Sequence, residues 1–405
     1  MRLTQSSNRT VLSVTPVQQP FHAPLAYDDP RPLSPSVMIR RVLFAVSAVL
    51  SAAIVPACRP RPAASPPPVK HVFIIVLENK GFATTFGDAS LAPYLADTLT
   101  RQGAFLTQYY GIGHSSLDNY IAMISGIAPT PETQADCGSY IDFVQRGTAP
   151  DGQPIGNGCV YPAHVQTIAD QLEARGLRWA GYMEDMGLDP ARERATCAHP
   201  AIGAPDLTEG AAKNDQYATK HNPFVYFHSI IDEPSCDSNV VALPRLESDL
   251  RSAATTPAYS FISPSLCHDG HDTPCVNGEP GGLVSADRFL RHWVPIITGS
   301  PAFRDGGLLI ITLDESRASD TEACCNERPG PNVAKAGGDG PGGGRAGAVL
   351  LSPFIVPGTI SNVPYNHYSM LRSVEDVFGL PHLGYAAQDG LVSFGADVYT
   401  GARKR

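Results

Sequence analysis

Two uninterrupted apolar runs, each ending abruptly in a pair of oxygen-bearing residues, constrain this chain more than any other feature. His71-Val72-Phe73-Ile74-Ile75-Val76-Leu77 leads straight into Glu78-Asn79, and Gly307 to Leu313 leads into Asp314-Glu315. A run rich in β-branched residues, with no polar alternation, predicts a strand buried on both faces, as in a parallel sheet covered by helices. Helices are predicted over Ala92–Gln102, Ser116–Ser125, Ile168–Arg175, Ser285–Val294 and His367–Phe378. Further strands are predicted near Phe105, at Trp179–Met183, at Tyr259–Ile262 and at Ala348–Leu351. Pro295 should end or kink the helix it follows. Strands alternating with helices in this way predict an α/β fold, three layers deep, with a mainly parallel central sheet. The stretch from Gln134 to Asp237 carries four cysteines and many loops, and reads as an insertion or cap over one edge.

In open parallel sheets, ligands collect beyond the carboxyl ends of the strands. Glu78-Asn79 and Asp314-Glu315 each follow a strand directly, and Asp269 follows Tyr259–Ile262 within a few residues. Three acidic strand ends then share one rim. Clustered carboxylates repel one another and raise each other's pKa unless a cation joins them, so a metal is the simplest expectation.

Other segments add chemistry to that rim. Gly113-His114-Ser115-Ser116-Leu117-Asp118-Asn119-Tyr120 places a hydroxyl, an imidazole and an amide at a predicted helix start, where free N–H groups and the helix dipole attract anions. Ser115 or Ser116 could equally be an ordinary cap. His268-Asp269-Gly270-His271-Asp272 packs four potential ligands into five residues, with Gly270 allowing a tight turn, although a solvated polar turn has the same composition. His367 after Asn366, and His221 in Lys220-His221-Asn222-Pro223-Phe224, are further candidates: His367 as a ligand, His221 as a phosphate ligand or proton donor.

The amino-terminal region predicts export. Residues 1–37 are polar and Pro-rich without periodicity. Met38-Ile39-Arg40-Arg41, the apolar run Val42 to Val55, and Pro56-Ala57-Cys58 then follow the pattern of a secretory signal, which makes Met38 the expected start. The run is shorter than the roughly 20 residues that a spanning helix needs. Two outcomes fit the end of this signal: a lipoprotein box with Cys58 lipidated as a membrane tether, or ordinary cleavage nearby. Residues 59–69 form a Pro-rich linker to a domain expected over 70–400. Beyond Cys58, eight cysteines remain, an even number that reads as disulfides in an exported chain. Cys137–Cys159, Cys197–Cys236 and Cys267–Cys275 are the local candidates; Cys324 and Cys325 are adjacent, so they form a vicinal bridge or take other partners. A net charge of −9 with no Lys/Arg run in the body of the chain argues against nucleic acid as a partner.

Taken together, HVFIIVLENK, GHSSLDNYIAMISG, KHNPFVYF, SPSLCHDGHD, LLIITLDES and YNHYSMLRSVEDVFGL resemble the bacterial phosphoesterase family, of acid phosphatase and phospholipase C type, within the alkaline-phosphatase superfamily. These segments run from His71 to Leu380 in family order. Around the nucleophile the family motif usually reads Thr-His-Pro-Ser-Leu-Pro-Asn-Tyr. Here His114, Ser116, Leu117, Asn119 and Tyr120 match, whereas Gly113, Ser115 and Asp118 depart. The resemblance implies an alkaline-phosphatase-like fold, Ser116 as nucleophile and Asn119 as a ligand of the phosphate oxygens. It also implies a divalent metal held by Glu78, Asn79, Ser116, Asp314 and Glu315. Asp269, His271 and His367 take the positions of a second metal or phosphate group, so one ion or two are implied.

The expected function is hydrolysis of a phosphomonoester through a phosphoserine intermediate, outside the cytoplasm. A phosphodiesterase acting on phospholipid head groups keeps the same site. A sulfatase is disfavoured, because the Cys/Ser-x-Pro-x-Arg setting is missing from this sequence. A surface-anchored protein that binds metal without turnover is the non-enzymatic alternative.

Overall fold

The computed structural model describes residues 66–333 and 342–401. The signal, Cys58, most of the linker and much of the Gly-rich loop before Ala348 lie outside the described residues. The main sheet has eight strands: β1 (His71–Leu77), β2 (Ala104–Leu106), β3 (Trp179–Met183), β4 (Val240–Ala242), β5 (Tyr259–Ser263), β6 (Gly307–Leu313), β7 (Ala348–Leu351) and β8 (Thr359–Ser361). Their order across the sheet is β8-β2-β7-β6-β1-β5-β3-β4. Only β7 runs against the others, pairing antiparallel with both β6 and β2. The fold is therefore α/β with a mainly parallel sheet, as expected.

β1 and β6 lie side by side at the centre, and every residue of both is buried. Their register pairs Leu77 with Leu313, so Glu78 and Asp314 emerge next to each other. This follows from patterning: with both faces apolar, neither strand can sit at an edge or face water. The two faces of the sheet carry separate cores. Val72, Ile74 and Val76 pack into one; Phe73, Ile75 and Leu77 pack into the other.

Four helices matter here: α1 (Ser116–Ser125), α2 (Ile168–Ala174), α3 (Gly282–Gly299) and α4 (His367–Phe378). Helix α3 runs through Pro295 to Gly299, so the proline does not end it. Trp293, Val294 and Ile297 are buried on either side of Pro295, and that burial offsets the missing backbone hydrogen bond.

The expected insertion from Gln134 to Asp237 is not one continuous cap. Helix α2 and strand β3 fall inside it, and β3 pairs with β5 in the main sheet. The segments on either side, including an antiparallel hairpin of Val144–Thr148 with Pro154–Asn157, lie outside that sheet. The cysteines pair as Cys137–Cys159, Cys197–Cys236, Cys267–Cys275 and Cys324–Cys325. The three local pairs match the sequence reading, and the adjacent cysteines form the vicinal bridge.

Candidate active site

The carboxyl ends of β1 and β6 hold the chemistry. Glu78 and Asp314 are fully buried, and Glu315 nearly so. The backbone N–H groups of Asn79 and Glu315 both donate to Asp314 Oδ1, at 2.9 and 2.6 Å. Asn79 Nδ2 donates to Glu315 Oε1 at 2.5 Å. Asn79 sits at a left-handed φ of 50°, a conformation that asparagine tolerates better than most residues and that turns its carboxamide back across the strand ends.

Ser116 is the first residue of α1, and its Oγ donates to Glu78 Oε2 at 2.7 Å. One helical turn later Tyr120 donates to Glu78 Oε1, also at 2.7 Å. Glu78 thus holds the hydroxyl and is itself held. Tyr120 was legible as an i,i+4 neighbour of Ser116 on the same helix face, a relation the sequence reading did not use. Ser115 is the N-cap residue but gives no side-chain cap; its hydroxyl donates to Gln134 O. The cap comes from outside the helix, where Asp136 Oδ1 accepts from the Leu117 N–H at 3.0 Å. Lys220 in turn holds Asp136 Oδ2 at 3.0 Å. Asp136 and Lys220 were missed because their partners are 19 and 84 residues away.

His221 is buried and wedged among acids. Its Nε2 lies 3.5 Å from Glu78 Oε1 and its Nδ1 lies 3.8 Å from Asp269 Oδ2. The ring stacks on Tyr120 at 5.3 Å between centroids, and neither nitrogen makes a hydrogen bond. Burial, with help from Lys220, holds its pKa well below the ordinary imidazole value, so the ring is neutral near pH 7. Lys80, also missed, donates to the His271 carbonyl and faces Asp269, Asp314 and Glu78.

Three candidates make other contacts in this structure. His367 is not free to bind a metal: Nδ1 pairs with the Tyr109 hydroxyl at 3.0 Å and Nε2 with the Asp314 carbonyl at 2.5 Å. Burial lowers its pKa to about 4, consistent with a neutral ring that donates through Nε2 and accepts at Nδ1. Asn119 is fully buried, and its carboxamide is spent internally. Its oxygen accepts from the Ile112 and Gly113 N–H groups, and its nitrogen donates to Gly113 O, Ser115 O and Glu315 Oε2. It braces the turn before α1 rather than reaching a ligand. His271 has a half-exposed side chain, and its ring lies 3.9 Å from Asp272. What joins this residue to the rim is its backbone N–H, which donates to Asp269 Oδ1 at 2.8 Å.

The remaining oxygens fit a cation. Asn79 Oδ1, Asp314 Oδ2 and Asp269 Oδ2 are buried acceptors without a donor. Burial raises the pKa of Glu78 and Glu315, with Asp314 adding to both, and burial raises Asp314 to about 6. Burial likewise raises Asp269. Each ionised carboxylate here is costly without positive charge beside it. The tightest cluster of metal-binding residue types among the described residues is elsewhere, at Cys267, His268 and Glu279. Cys267 is consumed in a disulfide and His268 bridges Glu184 and Glu279, so that cluster is an ion-paired strut.

Fold and site define an α/β protein with a buried carboxylate and hydroxyl centre at the carboxyl rim of its sheet. The chain belongs to the phosphoesterase family, whose model matches residues 92–381. It is 25% identical over 318 residues to a probable acid phosphatase of Kluyveromyces lactis, covering 78% of this chain and 59% of that one. It is 26% identical to a phosphate-repressible acid phosphatase of Penicillium chrysogenum, over 76% of this chain and 59% of that one. The chain thus spans about three fifths of the length of these fungal relatives. It is also 24% identical to a phosphatidylinositol-3-phosphatase of Mycobacterium tuberculosis, over 79% of this chain and 80% of that one. A solved structure of an alkaline phosphatase superfamily protein from Vibrio parahaemolyticus aligns with a TM-score of 0.47 at 14% identity, over 79% of this chain and 68% of that one.

Proposed function

We propose that this protein is an exported, metal-dependent phosphomonoesterase that works through a phosphoserine on Ser116. The observation that carries this reading is the 2.7 Å hydrogen bond from Ser116 Oγ to Glu78 Oε2, at a helix start ringed by buried acceptors. Glu78, Asn79, Asp314 and Glu315, with Ser116, would hold one divalent ion. When bound, that ion supplies the positive charge that lowers the serine pKa and offsets charge on the phosphoryl group. With His367 committed elsewhere, this reading needs no second ion at the rim.

The chain's own residues divide the work. Glu78 takes the Ser116 hydrogen bond and fixes the direction of Oγ, while Tyr120 keeps that carboxylate from rotating. Ser116 Oγ gives its proton to Glu78 and bonds to phosphorus as the bond from phosphorus to the ester oxygen breaks, and that oxygen takes a proton and leaves as the alcohol. The neutral His221 ring, with both nitrogens unengaged, is placed to donate to a phosphoryl oxygen or to the leaving group. Water then hydrolyses the phosphoserine. The Asp136 cap keeps the first turn of α1 in place throughout.

Four disulfides and a leader-like amino terminus support export, and no described helix is long and apolar enough to cross a membrane. Whether Cys58 is lipidated as a tether or lost with the signal is part of the same proposal. A second reading, a phospholipid head group as the ester, is favoured by the mycobacterial relative, most of whose length is matched.

The test is an assay of the purified mature domain on p-nitrophenyl phosphate and bis-p-nitrophenyl phosphate, with and without chelator. Monoester turnover that chelation removes, and that Ser116→Ala lowers by about 10^3-fold or more, is expected. Turnover of the diester alone would mark a phosphodiesterase instead and defeat the monoesterase reading. Undiminished activity in Ser116→Ala, or turnover of neither ester, defeats the proposal.

A further inference from the structure

The loop that leaves β5 is pinned to the end of β1 at two points, and the second pin has no part in the reaction as proposed. After Ser263 the chain turns at Ser265, whose carbonyl accepts from the His268 and Asp269 N–H groups at 2.8 and 2.9 Å. The Asp269 carbonyl then accepts from the Glu78 N–H at 2.8 Å, which is the first pin. Gly270 sits at a φ of 107°, a region closed to most side chains, so the chain reverses straight after Asp269. The reversal brings the His271 N–H onto Asp269 Oδ1 at 2.8 Å, an Asx turn that fixes how this carboxylate points. The His271 carbonyl accepts from Lys80 Nζ at 3.3 Å, which is the second pin. Lys80 is two residues past Glu78, so both pins start from one strand end.

The turn keeps one oxygen in reserve. With Oδ1 spent on His271, Asp269 Oδ2 lies 3.8 Å from His221 Nδ1 and has no hydrogen-bond donor. The opposite edge of the ring places Nε2 3.5 Å from Glu78 Oε1, on the carboxylate that holds the Ser116 hydroxyl. What else holds His221 acts on its backbone and its face: Ser263 Oγ donates to its carbonyl at 2.6 Å, and Tyr120 stacks on the ring. The torsion that turns an imidazole about its bond to Cβ is soft, so the neighbours along its edges decide where they point. Asp269 is the neighbour at the Nδ1 edge. One pin alone lets the Asx turn pivot about the Glu78 N–H bond, and a shift of about 1 Å is enough to misplace a catalytic group. Two pins, one on either side of Gly270, stop that pivot.

We propose that Lys80 is a positioning residue: it holds the 269–271 turn in place and, through Asp269, aims His221 at the phosphoryl group. This role rests on Ser116 and His221 acting as proposed above. Lys80 touches no ester in it and works through the turn alone.

The test compares Lys80→Met, which keeps the length and loses the donor, with Lys80→Arg, which keeps a donor. On p-nitrophenyl phosphate, Lys80→Met should lower kcat about tenfold with KM within about twofold of the wild type, and Lys80→Arg should recover most of the loss. In a His221→Ala background, Lys80→Met should cost nothing further, because the two residues act on one step. Lys80→Ala is the second variant should Lys80→Met fail to fold. A further measurement needs no turnover: the His221 ring signals in proton–carbon spectra of histidine-labelled protein, assigned by their loss in His221→Ala. They should shift in Lys80→Met and return in Lys80→Arg. An unchanged kcat in Lys80→Met, a rise in KM in place of a fall in kcat, or a full tenfold loss added to that of His221→Ala overturns the proposal. So do ring signals that stay where they are in Lys80→Met. If Ser116→Ala keeps full activity while the ring signals still follow Lys80, the phosphoserine reading fails and the positioning stands.

Discussion

Two buried histidines, His221 beyond the main sheet and His367 at the start of α4, had equal claims in the sequence and have opposite roles in the structure. Both are at most 3% exposed, and in both burial lowers the imidazole pKa. His367 spends both ring nitrogens, one on a tyrosine and one on the Asp314 carbonyl, and so fixes the strand end that carries the acids. His221 spends neither and lies between two carboxylates. Burial alone therefore does not mark a reactive group. What separates the two is the hydrogen bonds left unmade, because a buried polar atom without a partner is costly unless a ligand supplies one.

The contrast can be broken by measurement. His221→Ala should lower kcat on the order of 10^2- to 10^3-fold while the melting temperature stays near that of the wild type. Equal loss from His221→Ala and His367→Phe would erase the distinction. His367→Phe should instead lower stability, by roughly 1–3 kcal/mol for each of the two partners left unpaired, read from thermal or denaturant unfolding. Tyr120→Phe removes one bond to Glu78 without opening a cavity, and should cost about tenfold in kcat with little change in fold. An unchanged kcat would mean that Glu78 needs no such restraint.

The smallest effect lies away from the rim. Glu375 in α4 is buried, accepts one N–H from Leu383 and has a second oxygen without a partner. Burial raises its pKa to about 9, far above the ordinary glutamate value. The folded chain thus holds this proton more tightly than the unfolded chain does. The stability it contributes is fully present below the ordinary value and is lost as pH rises toward 9. Glu375→Gln should therefore stabilise the protein more at about pH 8 than at about pH 5, in paired melting curves. A gain independent of pH would show that this carboxyl is already ionised.

Much of this was legible because it is local. The strands 71–77 and 307–313 and the helices 116–125 and 367–378 follow from unbroken apolar runs and from helical periodicity. Their central placement follows from both faces being apolar, whereas the register that sets Glu78 beside Asp314 is given by the pairing of Leu77 with Leu313. The contacts of Asn119 were not legible because a motif gives a residue's type and spacing, not the direction of its carboxamide, which accepts from the turn at Ile112 and Gly113. Asp136 and Lys220 were invisible because nothing nearby in the chain marks them as partners of α1. The extent of the cap was overdrawn for a related reason. Helix α2 and strand β3 are short and flanked by cysteine-rich loops, and the pairing of β3 with β5 shows that this strand belongs to the main sheet.

The residue that caps α1 adjoins Cys137, whose sulfur is joined to Cys159. The start of α1 is thereby braced, through Asp136, by a disulfide. Without that bond the covalent tether beside Asp136 is missing.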